Sequence, residues 1–246
     1  LLVRVLRELE GVTPVRLVDL TGGSARNALP REAVATLALP GGRGGRLASW
    51  LAGMEASLRG ELRGIDEGLS LAVSVADAEE VMAEAEQEIW LGSLHAVRHG
   101  VRRMSRQVPG VVEASSNLGM VDVHPNGGSC NFMVRSLIGS GSLALADEIV
   151  SLWALSGTHA EKSGFYPGWA PNPASELLKL CQAVYQRDFA AESKVQVIHA
   201  GLECGIIGDK YPGMDIVSFG PTIRGAHAPG ERVEIASVER CWRLLR

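Results

Sequence analysis

The sequence lacks several features that would assign it to a well-known class. No apolar run approaches the roughly 20 residues of a transmembrane helix, so no membrane span is expected. The four cysteines lie far apart with no Cys-x-x-Cys pair, which favours free thiols and a cytoplasmic protein over a disulfide framework. The HExxH, GxSxG and GxxxxGK[ST] motifs are all absent, which argues against zincins, nucleophile-elbow hydrolases and P-loop NTPases.

The net charge and the first residues give further indications of the class of protein. A net charge of −4 gives no support for a nucleic-acid partner. The chain starts at Leu1 without an initiator Met or a signal-peptide pattern, and its first nine residues have the apolar spacing of a helix. We therefore expect a part of a longer protein. With 246 residues and 46% apolar residues, this part is long enough to bury a sizeable core.

The first two thirds of the chain indicate an α+β domain. Alternating apolar residues predict strands, and longer periodic stretches predict helices up to residues 63 and 107 and over 143–155. The predicted strands cover 15–20, 33–39, 69–75, 111–123, 129–138 and 158–166. This order suggests two successive α-β-β-α-β units, and so an antiparallel sheet with helices on one side.

A composition break follows this domain. Three prolines fall between Tyr166 and Pro173, which prevents regular structure there. We place a boundary here, with a domain over 1–166 and a second portion over 167–246. Predicted helices at 174–189 and 233–245 and strands at 195–200 and 214–219 alternate in this portion, as expected for part of a parallel α/β domain.

Two histidines follow predicted strands in the second portion. His227 lies in a loop marked by Gly and Pro, where it could be a metal ligand, a general base or a surface residue. No further ligand lies near it in sequence, and a zinc site needs three or four. His199 ends a strand, and a buried imidazole bonded to a carbonyl is the simpler interpretation.

Three other residues have both a structural and a functional interpretation. Asn27 lies between two predicted strands, where turn chemistry alone would account for it. Arg135 lies in an apolar strand and needs a carboxylate, from a salt bridge or from a ligand. Gly201 fits a position where the backbone approaches a ligand or another strand.

Four motifs in the same order together resemble the aminoacyl-histidine dipeptidase (peptidase D) family, which is related to the carnosinases. They are Ser-Ala-Arg-Asn-Ala-Leu-Pro-Arg-Glu at 24–32, Tyr-Pro-Gly-Trp at 166–169, Ile-His-Ala-Gly-Leu-Glu-Cys-Gly at 198–205, and Ser-Phe-Gly-Pro-Thr-Ile-Arg-Gly-Ala-His at 218–227. The resemblance implies a di-zinc peptidase in which a lid domain interrupts the catalytic domain. The chain then corresponds to most of the lid, over 1–166, and the returning part of the catalytic domain, over 167–246.

The resemblance also implies roles for individual residues. It makes His227 a zinc ligand and places Asn27, Arg135 and Gly201 against a dipeptide substrate, with Xaa-His dipeptides expected and a homodimer as the assembly. Ala228 and Gly230 depart from the residues that relatives often carry beside the ligand. The remaining ligands, the bridging Asp and the general-base Glu are expected before Leu1, so no catalytic residue is assigned here and the chain alone is expected to be inactive. The alternative is a non-catalytic lid-type binding or dimerisation module without a metal site.

Overall fold

The computed structural model describes residues 1–41, 44–198, 202–226 and 230–246. Helices and strands alternate in the first part, and helices dominate the second. In chain order the elements are α1 (Leu2–Glu10), β1 (Arg16–Gly22), β2 (Ala33–Ala38), α2 (Gly44–Glu61), α3 (Glu84–Ala96), β3 (Gly100–Met104), β4 (Val112–His124), β5 (Gly127–Ser136), α4 (Gly139–Leu155), α5 (Glu176–Phe189), α6 (Glu203–Lys210), β6 (Ile223–Arg224), β7 (Arg232–Val233) and α7 (Ile235–Leu245).

Five strands form one sheet in the order β2-β1-β4-β3, and β5 pairs with β4. β1 pairs antiparallel with β2 from Arg16 opposite Ala38 onward, with a shift of register between Leu17 and Asp19. It also pairs antiparallel with the end of β4, where Leu20 lies opposite Val123. The predicted antiparallel sheet with mixed α and β content is therefore confirmed.

The chain divides into two compact units. Unit 1 contains 1–100, 116–134 and 146–161, and unit 2 contains 101–115, 135–145 and 162–246. The predicted boundary between 1–166 and 167–246 stays a prediction. None of the helices in the described ranges is long and apolar enough to cross a membrane.

Unit 1 holds a core in which helices α1, α3 and α4 contribute apolar side chains together with β1 and β4. Trp90 and Trp153 lie at its centre with ring centroids 5.5 Å apart, and Phe132 packs at 6.4 Å from Trp153. The buried members are Leu6, Leu17, Leu20, Met82, Trp90, Leu91, Leu94, Val97, Val123, Ile149 and Trp153. Because apolar burial is the main stabilising term, this cluster gives the sheet of unit 1 a fixed platform.

Unit 2 contains helices α5, α6 and α7 and the short hairpin β6–β7, and it also includes most of β3 and the start of β4. In α5, the Ser175 hydroxyl accepts a hydrogen bond from the Leu178 N–H at 2.9 Å, as an N-cap residue does. The side chain of Asp215 accepts from the Leu177 N–H at 2.9 Å at the same helix end. The start of α5 is thus held by a residue from the segment that precedes the hairpin β6–β7.

Several predicted elements are wrong in type. The segment 69–75 is not a strand, because its peptide groups bond to side chains of α2: Leu71 N–H donates to Glu55 at 2.7 Å, and Arg59 donates to the Leu69 carbonyl at 2.7 Å. The predicted helix to residue 107 ends at Ala96. Gly100, with φ of +99°, lies at the start of β3.

The segments 158–166 and 214–219 and the described part of 195–200 are not strands either. Their alternation is real, but no strand pairs with them in the described ranges, and an extended segment becomes a strand only when a neighbour takes up its peptide groups. The observed order is therefore α-β-β-α followed by α-β-β-β-α, rather than two α-β-β-α-β units. In the described residues of 167–246, the strands are those of the antiparallel hairpin β6–β7.

Candidate functional site

Asn27 lies in unit 1, in an exposed turn between β1 and β2. The turn is closed by a hydrogen bond from the Ala28 N–H to the Ala25 carbonyl at 3.2 Å. It is also tied to β4, because the Asn117 Nδ2 donates to the carbonyl oxygens of Arg26 at 3.0 Å and of Ala28 at 2.8 Å. The peptide groups on both sides of Asn27 are thus fixed, while its own side chain is left exposed.

Two glycines allow the turn to lie this close to β4. A Cβ atom at Gly119 would be 2.6 Å from the Arg26 Cα and 2.8 Å from the Ala25 carbonyl oxygen. A Cβ atom at Gly23, which has φ of +75°, would be 1.9 Å from the Gly119 carbonyl oxygen. Only residues without a Cβ permit these backbone contacts, so the sequence places glycine at both positions.

His99 lies near the same stretch of β4. Its Nδ1 accepts a hydrogen bond from the Leu118 N–H at 3.0 Å, and burial lowers the pKa of the imidazole below its usual 6.5. At neutral pH the ring is therefore uncharged, with the proton on Nε2. Neither His99 nor Asn117 is singled out by the sequence motifs, because each acts through contacts with residues distant in the chain.

Arg135 lies in unit 2, one residue before the end of β5. Its side chain is half-buried and already takes part in an interaction of its own. The residue Leu137 just beyond it donates from its N–H to the Glu113 carbonyl at 2.9 Å, and the buried Glu113 carboxylate is paired with Arg103. This end of β5 is therefore held in place, and the substrate-binding role of Arg135 stays a prediction.

Two of the four sequence motifs meet in unit 2, together with the segment that follows Arg135. A Cβ atom at Gly168 would lie 2.5 Å from the Leu137 carbonyl oxygen, so the Tyr166–Trp169 motif packs directly on the chain that follows Arg135. A Cβ atom at Gly205 would lie 2.5 Å from the Pro167 carbonyl oxygen, which brings the start of α6 onto the same motif. The motifs are thus parts of one packed arrangement rather than separate surface loops.

Tyr166 carries a polar group at this junction. Partial desolvation raises the pKa of its hydroxyl above 10, and the nearby negative charge of Glu203 raises it further. The hydroxyl therefore remains protonated at neutral pH and can act as a hydrogen-bond donor.

The loop that contains His227 is flanked by the short hairpin β6–β7. Ile223 pairs with Val233, and Arg224 pairs with Arg232. The buried Ser237 of α7 joins this hairpin by accepting from the Thr222 N–H at 2.8 Å and donating to the Glu234 carbonyl at 2.6 Å. Both ends of the loop are consequently held against α7.

The predicted metal ligand His227, the predicted substrate contact Gly201 and the histidine at 199 lie outside the described residues. In the ranges that the structure does describe, no group of three or more His, Cys, Asp or Glu side chains could hold a metal ion.

A shallow pocket of about 450 Å³ opens between β1, β4 and β5. Cys130 lines it, and burial raises the pKa of this thiol to about 12. The thiol is protonated at neutral pH and is a poor nucleophile. The pocket therefore gains no reactive group from its cysteine.

The chain is similar over its full length to a known protein and to a solved structure. No protein-family model matches it. The chain is 40% identical to the cytosol non-specific dipeptidase of Escherichia coli (strain K12) over 246 residues, which are 100% of this chain and 51% of that protein. The crystal structure of the aminoacylhistidine dipeptidase from Vibrio alginolyticus matches with a TM-score of 0.87 and 38% identity, over 99% of this chain and 50% of that one.

The chain thus spans about half the length of the relatives it matches. Both relatives are named as dipeptidases. The name of the E. coli protein calls it non-specific, and the name of the V. alginolyticus protein refers to aminoacylhistidine. The resemblance indicated by the four sequence motifs is confirmed: over its whole length, the chain is similar to half of a peptidase D-like dipeptidase.

Proposed function

We propose that this chain is part of a zinc-dependent dipeptidase that cleaves short peptides, Xaa-His dipeptides among them. The observation that carries the proposal is the match of the entire chain, in sequence and in fold, to two proteins named as dipeptidases. The alternative, a non-catalytic lid-type module, has no comparable support from these matches. A cytoplasmic homodimer belongs to the same proposal, as does a lid domain over 1–166 followed by a catalytic portion over 167–246.

Within this proposal, Arg135 binds the free carboxylate of the dipeptide. A guanidinium can donate two parallel hydrogen bonds to a carboxylate, and such a clamp favours substrates whose carboxylate lies one residue beyond the cleaved bond. The firm attachment of the neighbouring Leu137 to Glu113 supports this role, because a clamp must be held in a fixed position.

Asn27 and Gly201 complete the proposed substrate contacts. The exposed side chain of Asn27 is available to hydrogen-bond near the scissile peptide group, and its turn is fixed on both sides. Gly201 would allow the substrate to approach the backbone closely.

The proposed zinc site follows from the family resemblance. His227 is proposed as one ligand of a pair of zinc ions. Zinc ions held there would supply Lewis-acid chemistry, which would polarise the scissile carbonyl and lower the pKa of a water toward about 7. By the same resemblance, the other ligands and the general base are proposed to come from elsewhere in the enzyme.

A direct test compares the 246-residue chain with the complete product of its gene, each incubated with zinc and an Ala-His dipeptide. The complete product should turn over at an ordinary enzymatic rate, roughly 1–1000 per second, and the chain alone should show little or no activity. An inactive complete product that binds zinc normally would contradict the proposal. Rates for Ala-His and Ala-Ala compared side by side would determine how far the enzyme selects for histidine.

The carboxylate clamp has its own test. Arg135→Ala should lower kcat/KM for a dipeptide about 30- to 1000-fold, corresponding to about 2–4 kcal/mol for a desolvated charge pair. A dipeptide amide, which lacks the carboxylate, should lose little, so the preference for the free acid should disappear. Arg102→Ala, an exposed arginine on β3, is the control. If Arg135→Ala lowers stability but keeps the preference for the free acid, the salt-bridge interpretation is correct.

A further inference from the structure

Asn117 connects β4 to the turn that presents Asn27. Asn117 and Gly119 lie two residues apart on a strand, so both face the same side of the sheet. The amide of Asn117 bonds to the turn, and Gly119 leaves room for its backbone. The two residues thus act on the same three-residue segment, Arg26 to Ala28, from the same strand.

The chemistry of these contacts requires an amide group. Both partners, the carbonyls of Arg26 and Ala28, are acceptors, so the group that faces them must carry two N–H donors. The Nδ2 atom of Asn117 satisfies both. Its Oδ1 is buried and makes no hydrogen bond within the described part of the chain, so its hydrogen-bonding role lies in Nδ2.

The two bonds bracket Asn27. They hold the Arg26 carbonyl before Asn27 and the Ala28 carbonyl after it. A backbone held in this way fixes the direction of the Cα–Cβ bond of Asn27, and a fixed starting point favours productive contact with a reacting substrate.

We propose that Asn117 is a positioning residue of the dipeptidase, which holds the Asn27 turn on β4 so that the Asn27 side chain reaches the substrate. This inference rests on the proposed function of Asn27. The hydrogen bonds of Asn117 to this turn are made to backbone carbonyls, and Asn117 takes no part in the chemical step.

The test measures kinetics and local structure in the complete gene product. Asn117→Ala should lower kcat/KM for Ala-His about 10- to 100-fold, mainly through kcat, because a displacement of about 1 Å near a reacting centre has effects of this size. Asn117→Asp has the same shape but places a carboxylate oxygen against two carbonyls, and it should lose at least as much. Asn131→Ala, an exposed asparagine on β5, is the matched control and should behave as wild type.

A double-mutant cycle separates a positioning role from a general loss of stability. If Asn117 acts through Asn27, adding Asn117→Ala to Asn27→Ala should cause little further loss of kcat/KM. Independent, multiplicative losses would overturn the proposal, as would wild-type kinetics for Asn117→Ala and Asn117→Asp.

Limited trypsin digestion gives a second measurement that does not depend on activity. Arg26 is exposed in the turn, so release of the turn in Asn117→Ala should speed cleavage after Arg26 several-fold and leave cleavage after the exposed Arg63 unchanged. If Asn27→Ala alone leaves kcat/KM unchanged, the proposed role of Asn27 fails. Cleavage after Arg26 then decides by itself whether Asn117 holds the turn, and unchanged cleavage contradicts the proposal.

Discussion

Replacing Gly119 by alanine is the sharpest structural perturbation of the candidate site. The new methyl group would lie 2.6 Å from the Arg26 Cα and 2.7 Å from the Arg26 carbonyl oxygen, both of them backbone atoms. Since nonbonded contacts are optimal at about 3.5–4.0 Å, the turn has to move away from β4 by about 1 Å.

This displacement has a calculable cost. The Asn117 bonds to Arg26 and Ala28 are 3.0 and 2.8 Å long, so a movement of about 1 Å takes them beyond hydrogen-bonding distance. Two bonds at about 0.5–1.5 kcal/mol each give a loss of about 1–3 kcal/mol in the free energy of unfolding. This range agrees with the usual cost of overpacking a filled site.

Urea denaturation of Gly119→Ala and of the wild type would measure this loss, with Gly53→Ala as the control. Gly53 is exposed in the middle of α2, and nothing lies within 4 Å of an added Cβ. Alanine there should stabilise the protein by about 0.4–1 kcal/mol. If Gly119→Ala is as stable as the wild type and is cleaved no faster after Arg26, the close approach of the turn to β4 is wrong.

Three further predictions concern two residues of unit 2, Asp215 and Gly205, and the thiol of Cys130. Hydrogen bonds from Ser175 and from backbone N–H groups at the start of α5 lower the pKa of Asp215 below 3.8, so its contribution to folding stability is complete well above pH 3.8 and is lost as the pH falls through the lowered pKa. Asp215→Asn should therefore be less stable than the wild type at pH 7, with a difference that shrinks in acid. A difference that does not depend on pH, or one equal to that of the exposed control Asp77→Asn, would contradict this assignment. Gly205→Ala should lower the free energy of unfolding by about 1–3 kcal/mol, because its Cβ would meet the Pro167 carbonyl. Gly208→Ala in the same helix places its Cβ at an ordinary 3.7 Å from a side chain and should be tolerated. Equal stabilities of the two variants in thermal melts would argue against the packing of α6 on the Tyr166–Trp169 motif. Cys130, with its pKa raised to about 12, should react with iodoacetamide at pH 7 far more slowly in the folded protein than after unfolding in urea, as measured on the peptide that contains Cys130. Equal rates would show that the fold does not protect this thiol.

The sequence predicts elements well where a local pattern is enough. β1, β2, the β4–β5 hairpin and α5 follow from alternation, helical spacing and turn residues, and they appear close to their expected bounds. The strand β3 was not predicted, because Gly100–Met104 continues a helical pattern and becomes a strand only beside β4. The segment 69–75 shows the opposite case, in which an alternating pattern remains without a strand partner.

The same distinction applies to the candidate site. Asn27 lies in one of the four short motifs, and Arg135 is conspicuous as an arginine in an apolar strand. The substrate roles of both follow from the resemblance and stay predictions. No motif singles out Asn117 or His99, because their partners lie far away: Asn117 bonds to a turn about 90 residues earlier in the chain. An Asn followed two residues later by a Gly in a strand is the local signal that could have directed attention to this position.

Metal content measured together with dipeptidase activity tests directly whether the complete protein is a zinc-dependent dipeptidase with His227 as a ligand. The complete gene product and its His227→Ala variant should be compared, with His124→Ala, an exposed histidine on β4, as the control. We expect about two zinc ions per chain and Ala-His hydrolysis for the wild type and the control. For His227→Ala the prediction is loss of zinc and of activity, with melting temperatures of the metal-free proteins unchanged. Equal zinc content in all three proteins, or a wild type that hydrolyses Ala-His equally well after complete removal of zinc, would contradict it.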